Sequence, residues 1–231
     1  MATGVDAREF LEVTAPLLRG GDAQALARAV AVRWRARDLC GLLRHEEVDV
    51  RRVAAVTLGL VGDHSMIACL TMALRDADAQ VNQMAEHALW SIWFRSGEAK
   101  AAQPFREGVS LLATESYPSA IICFKEAQRV DPLFAEAFNQ CAIAHFFLHQ
   151  WHESLECSRR AMCLIPTHFG AIASMGHCFT QLGDLRRAVA CYRRALQINP
   201  GMSAISCMVE RVEKYEHHRN DHSGIYVAAQ V

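Results

Sequence analysis

Lysine is nearly absent from this 231-residue chain, which carries only Lys100, Lys125 and Lys214. Arginine supplies the other positive charges, and 24 basic against 25 acidic side chains leave a net charge of −1. That balance excludes a histone-like or polyacidic protein, and 21% charged residues is ordinary for a folded chain. No apolar run approaches the ~18–20 residues that would span a bilayer. The stretch Met1 to Phe10 lacks the basic-then-apolar layout of a secretory leader. A cytoplasmic chain without a membrane segment is expected, with room for one large domain or two small ones.

Cys-x-x-Cys pairs are also missing, so a zinc ribbon or a thioredoxin-like redox motif is unsupported. The nine cysteines are odd in number and fall mostly in apolar, helix-like segments. Cys69, Cys123, Cys141, Cys178 and Cys191 sit among Ala, Ile, Leu and Phe, where a reduced thiol acts as a small hydrophobe. Packed free thiols are the expectation.

Glycine and proline are sparse, at 13 and 6 residues, and no segment alternates apolar and polar residues as a half-buried strand does. Apolar residues recur instead at three- and four-residue spacing. The fold class is all-α.

Internal repeats supply the organisation. The stops Asp131-Pro132, Ile165-Pro166 and Asn199-Pro200 lie 34 residues apart. Small residues share the same period: Gly108, Ala142 and Gly176; Ala120, Ser154 and Ala188; Ala127, Ala161 and Ala195. Two antiparallel helices approach closely only where no large side chain separates their backbones. Bulky neighbours such as Phe138, Ile172 and Met175, or Phe124 and Tyr192, then fill the space between pairs. Proline ends each unit because it lacks the N–H a continuing helix needs. Gly183-Asp184 and Gln150-Trp151 mark turns within pairs.

This pattern resembles the tetratricopeptide repeat, in three copies over about residues 101–200. Four signature places depart: Pro104 and Glu107 in the first copy, His145 and Ser158 in the second. Pro104 suits a helix that begins beside it, and His145 replaces a usual aromatic as a buried ring. Ser203 to His217 reads as a capping helix with Ile205, Val209 and Val212 on one face. The resemblance implies a right-handed α-α superhelix, an α-solenoid of stacked antiparallel helix pairs.

The first hundred residues repeat at 31. Leu42-Leu43-Arg44 returns as Ala73-Leu74-Arg75, and Val50 to Ala55 returns as Val81 to Glu86, with Asp49 and Asp78 opening the helices. Leu17-Leu18-Arg19 before Gly20-Gly21-Asp22 reads as a shorter copy. This resembles the HEAT-like repeat. The expected division is 1–97 HEAT-like repeats, 98–218 tetratricopeptide repeats with their cap, and 219–231 a flexible tail with an apolar end, Ile225 to Val231. Trp90, Trp93 and Phe94 are expected to pack against the first tetratricopeptide helix, giving one continuous solenoid.

Catalytic signatures are lacking: the sequence holds no Gly-rich phosphate loop, Gly-x-Ser-x-Gly elbow or His-Glu-x-x-His helix. His145 and His149, four apart with His152 and Glu153 beyond, face one side of a helix as metal ligands can, but no third ligand stands at a matching spacing. The blander assignment puts His145 in the core and His149 at a helix end. His217, His218 and His222 read as a solvated tail. The reading is therefore of a non-enzyme with no metal and no cofactor.

Within the resemblance, the first helix of each pair lines a concave groove. The corresponding places hold Phe105, Arg106, Val109 and Leu112; Glu136, Asn139, Gln140, Ile143, Phe146 and Phe147; and Ala173, Ser174, His177, Thr180 and Gln181. Asn139 stands out because an amide can bond both N–H and C=O of an extended peptide. Phe146 is expected to point into the groove, with Phe147 divided between groove and core. The family's chaperone-tail binders clamp a carboxylate with Lys and Arg, whereas Arg106 alone is basic here.

The function expected is a protein-binding scaffold or adaptor that takes a protein or peptide segment into the groove. Phe105, Arg106, Val109, Asn139, Gln140, Ile143, Phe146 and His177 are its candidate contacts. Two alternatives remain open. Arg33, Arg37, Arg44, Arg51 and Arg52 could bind nucleic acid, although Asp38, Glu46, Glu47 and Asp49 interrupt the run. The apolar tail could enter a groove of its own or another chain, giving a homo-oligomer.

Overall fold

A computed structural model describes residues 4–214, which divide into two compact units at Glu98/Ala99. Among these residues all regular structure is helical. The tail from 219 onward, and His217, His218 and His222, lie outside the described residues. No helix among the described residues is long and apolar enough to cross a membrane.

Unit 1 contains α1 (Ala7–Arg19), α2 (Ala23–Arg33), α3 (Ala36–Leu39), α4 (Val48–Val61), α5 (Ile67–Ala73) and α6 (Ala79–Arg95). Short 3-10 turns, Cys40–Arg44 and His64–Met66, follow α3 and precede α5. Helix starts follow sequence: Asp6, Asp22 and Asp78 each cap a helix by accepting backbone N–H groups of its first turn. Asp49 lies within α4, and its carboxylate meets Arg52 at 3.3 Å instead of capping. Places related by 31 residues share a fate: Val50 and Val81 are fully buried, as are Ala54 and Ala85. Trp93 is fully buried, with the Trp90 ring edge-on at 5.0 Å.

One expectation fails in this unit. Cys69 is not a free thiol: it is bonded to Cys40, whose Cα is 6.0 Å away. Cys40 ends α3 and Cys69 lies in α5, so fold topology, not sequence spacing, brings them together.

Unit 2 repeats one device three times. Its pairs are α7 (Ala99–Ala113) with α8 (Tyr117–Val130), α9 (Ala135–Phe147) with α10 (Trp151–Leu164), and α11 (Phe169–Gln181) with α12 (Leu185–Ile198). A last helix, α13, runs over 203–214 and buries Ile205, Val209 and Val212. The small residues sit where the pairing argument requires: Ala120, Ser154 and Ala188, and Ala127, Ala161 and Ala195, are all fully buried. A Cβ on Gly108 would fall 2.7 Å from the Phe124 ring, and one on Gly176 would overlap Tyr192. Each second helix ends alike, the N–H of Asp131, Ile165 and Asn199 reaching Ala127, Ala161 and Ala195 carbonyls at 2.8–2.9 Å. The turns within pairs share a left-handed residue at the same period: Glu115 (φ 60°), His149 (φ 59°) and Gly183 (φ 77°).

Pro104 does not begin a helix. The α7 helix starts at Ala99, so the proline sits inside it.

Candidate functional site

The middle pair carries the most unusual interior. In α9 nine residues are buried, and they include Glu136, Asn139, Gln140 and His145. Glu136 is fully buried, so its oxygens need partners, and the fold provides them. Asn139 Nδ2 and Gln140 Nε2 donate to Glu136 Oε1 at 3.0 and 2.6 Å. His168, also fully buried, places Nε2 2.9 Å from Glu136 Oε2. The other ring nitrogen, Nδ1, accepts the N–H of Ala171 at 3.2 Å and so caps α11. Because Nδ1 accepts, the ring proton is on Nε2 and is donated to the carboxylate. One side chain thus ties the second pair to the start of the third.

This network corrects the assignment of Asn139 and Gln140 to an open groove. Asn139 is 1% exposed, Gln140 7%, and the amide nitrogens needed for a peptide are already bonded to Glu136. The 34-residue register shows which helix face they occupy, but it is blind to the buried carboxylate one turn away. Phe105 is corrected too. It is 2% exposed, with its ring centroid 4.5 Å from Phe134 and 6.0 Å from Phe124, so it is core. Val109 is half-buried against the same cluster, and Arg106 is exposed.

What stays accessible is aromatic. Phe147 is 52% exposed and its ring stacks on Tyr117 at 5.0 Å with the planes 11° apart. Phe146 is half-buried, between Trp151 (4.9 Å) and His177 (6.2 Å), and touches Phe147 edge-on at 6.1 Å. Ile143 is half-buried one turn earlier. The Nδ1 of His177 lies 2.9 Å from Tyr192 Oη, which also meets Thr180 Oγ1 at 3.1 Å. Burial pushes the His177 pKa down and favours a neutral ring. Phe147, not Phe146, is therefore the more exposed ring. Tyr117 and Trp151, at the starts of second helices, complete a surface that a list of first-helix places omitted.

His149 is no partner for His145 in a metal pair, because it occupies the left-handed turn with its ring 5.0 Å from Trp151. Cys141 and Cys157 are the neighbours of His145. One ligand atom from each of the three lies within 4.8 Å of the others. The sequence hid this trio because Cys157 comes from the paired helix.

In unit 1 part of the arginine run is engaged in structure. Arg51 clasps Asp76 with two bonds of 2.8 and 2.9 Å and also donates to the His45 and Glu46 carbonyls. Arg52 clasps Asp78 at 3.0 and 2.7 Å. The Arg52 guanidinium holds the Asp78 carboxyl at about 2. Burial pushes Asp76 up, but bonds from Arg51 and the Asp78 N–H outweigh it and leave that carboxyl below its ordinary range. Two of the five arginines assigned to a nucleic-acid surface thus have carboxylate partners already, and the basic footprint shrinks accordingly.

Residues 171–202 match the family model described as tetratricopeptide repeat. That match spans most of the α11–α12 pair, and the two pairs before it repeat its geometry at the same 34-residue period. Among solved structures, the Sgt2 TPR domain of Aspergillus fumigatus is similar at 19% identity and TM-score 0.52, covering 54% of this chain and 84% of that one. The first TPR of Spaghetti (RPAP3), bound to HSP90 peptide SRMEEVD, is similar at 19% identity and TM-score 0.51, covering 52% and 97%. In sequence, the chain is 26% identical over 100 residues to protein bimA of Emericella nidulans, covering 43% of this chain and 12% of that protein. It is 24% identical over 108 residues to a TPR repeat-containing protein of Rhizobium etli, covering 47% and 53%. The chain therefore spans about half or less of the length of these two relatives. The structural likenesses show a fold shared with TPR domains over about half of the chain.

Proposed function

We propose that the chain is a non-catalytic protein-interaction scaffold, whose tetratricopeptide repeats hold an extended or helical segment of another protein by its apolar side chains. The observation that carries this is the accessible aromatic surface of Tyr117, Phe146, Phe147 and Trp151 beside Ile143 and His177. Aromatic side chains presented on a rigid scaffold make efficient anchoring contacts, since they bury much area while losing little side-chain freedom. The Glu136 network supports the reading by holding α9 and α11 in register from within, so that the surface is preformed.

The Spaghetti neighbour holds a peptide with acidic residues at its end. A corresponding role here is disfavoured, because Arg106 is the single cation among the residues assigned to the groove. The segment expected is apolar and low in charge. Peptide display against the full chain tests this. Enriched sequences should carry spaced Leu, Phe, Met or Trp and lose binding to the exposed-ring variant Phe147→Glu, with circular dichroism unchanged. Enrichment of acidic carboxyl-terminal motifs, or binding indifferent to Phe147→Glu, refutes it.

A further inference from the structure

We propose that Cys141, His145 and Cys157 form a site for a soft divalent cation, with Zn2+ as the expected occupant, inside the middle helix pair. The three ligand atoms lie within 4.8 Å of one another, so side-chain movements of about 1 Å bring them to the ~3.4–3.8 Å edges that Zn2+ bond lengths set for one tetrahedral ion. Two thiolates and an imidazole suit Zn2+ and not the oxygen-preferring Mg2+ or Ca2+.

Two further observations converge on the site. Cys141 is fully buried and His145 6% exposed, whereas Cys157 is half-buried and gives an ion a way in. Gln150 Oε1 stands 2.6 Å from His145 Nδ1. A carbonyl oxygen only accepts, so Nδ1 carries the proton and Nε2 keeps the lone pair that metal binding requires. On binding, both thiols would enter as thiolates with release of their protons.

The register explains why the site is in this repeat. Ser158 stands where Phe124 and Tyr192 stand in the flanking copies, and His145 stands where Leu111 and Phe179 do. The middle pair therefore lacks a ring that fills the other two. Ser158 Oγ, fully buried, has no hydrogen-bond partner among the described residues. Ser158 thus follows Cys157 directly, and His145 lies one helical turn from Cys141. The site would brace α9 against α10 under the aromatic surface, but binding an ion does not depend on any peptide binding there.

The test uses the full chain, stripped with a chelator under reductant and titrated with Co2+ and then Zn2+. One equivalent of Co2+ should give a thiolate-to-cobalt charge-transfer band that Zn2+ abolishes. Cys157→Ser and His145→Phe should remove the band, the exposed-cysteine control Cys163→Ser should keep it, and Gln150→Ala should weaken affinity about 10- to 100-fold, as loss of an outer-shell partner does. Circular dichroism identifies any variant that fails to fold, and Cys157→Ser, at a half-buried place, remains informative if His145→Phe does not fold. Absence of the band in wild type, its survival in folded Cys157→Ser, or a Cys141–Cys157 disulfide in a non-reduced digest of the reductant-free protein overturns the proposal.

Discussion

Unit 1 ties its helices together with charge across turns, while unit 2 does so with side-chain fit and one buried polar network. In unit 1, Arg51 and Arg52 on α4 reach Asp76 and Asp78 at the start of α6, and Cys40 is joined to Cys69. The helices there are uneven, from four residues in α3 to 17 in α6. In unit 2 the paired helices α7 to α12 run 13 to 15 residues and meet through small residues at one spacing. The difference teaches that a strict period lets small residues do the alignment, whereas an irregular stack needs directed bonds to fix each turn. Accordingly, unit 2 should be sensitive to buried substitutions and unit 1 to pH.

The largest effect is expected at Glu136. Removing its carboxylate with Glu136→Ala strands three donors, from Asn139, Gln140 and His168, in a fully buried place. A buried donor left without its acceptor costs about 1–3 kcal/mol, and three are stranded together. Urea unfolding followed by hydrogen exchange should show α9 and α11 opening first, with α4 and α6 unaffected. A loss below about 1 kcal/mol would mean that the network is dispensable and that fit alone holds unit 2.

Next come the glycines facing rings. Gly176→Ala places a methyl on Tyr192, and Gly108→Ala places one on Phe124; overpacking of this kind costs about 1–3 kcal/mol. The middle copy has Ala142 at the same place and Ser158 opposite in register. Ala142→Gly should therefore cost only the helix-propensity difference, about 1 kcal/mol. Thermal unfolding of the three variants compares the copies directly, and equal losses would dissolve the distinction between ring-filled and ring-free pairs.

Much of this architecture was legible in advance because it rests on residue size at a fixed period. The 34-residue recurrence of Ala, Gly and Pro located α7 to α12, since a large side chain at Ala127 or Ala161 would hold two backbones apart. The site was less legible. Asn139, Gln140 and Phe105 lie in the helices expected, but burial depends on which partner each meets, and Glu136–His168 joins residues 32 apart by a hydrogen bond no period encodes. The same holds for Cys40–Cys69 and for Cys157 beside His145. A signal was present, however: His145 and Ser158 broke the repeat pattern together, and departures that coincide in one copy point to a local change of interior.

The acid response separates the units by sign and range. An Asp held below its unfolded value adds stability above that value, and the addition fades as pH falls through the folded value. Asp78 is held at about 2 by Arg52, against ~3.9 for an unfolded Asp. Unit 1 should therefore lose this stability between about pH 4 and pH 2, with Asp76, also lowered, adding to the loss. Asp78→Asn should flatten the decline in that window while lowering stability at pH 7. In unit 2, Asp184 is lowered by the Arg187 N–H and side chain, but on the surface, so its contribution is screened by salt. Acid titrations at low and high salt should leave the unit 1 decline largely in place and shrink that of unit 2.

The smallest effect lies in the turns of unit 2. Glu115, His149 and Gly183 share a left-handed conformation 34 residues apart, which an L side chain adopts at a cost of roughly 1–2 kcal/mol and glycine adopts freely. Glycine also costs more to order from the unfolded chain, which returns part of the gain. The net expectation is a stabilisation of roughly 0.5–1 kcal/mol for Glu115→Gly and a loss of similar size for Gly183→Ala. Glu115 is exposed with no side-chain bond to lose among those described, which makes it the cleaner of the two non-glycine positions. His149 packs on Trp151, so His149→Gly removes a ring contact along with the strain and should gain less. If Glu115→Gly and His149→Gly gain equally, backbone strain alone governs these turns. If neither gains, the turn geometry is set by the helix pair on either side and tolerates any residue there.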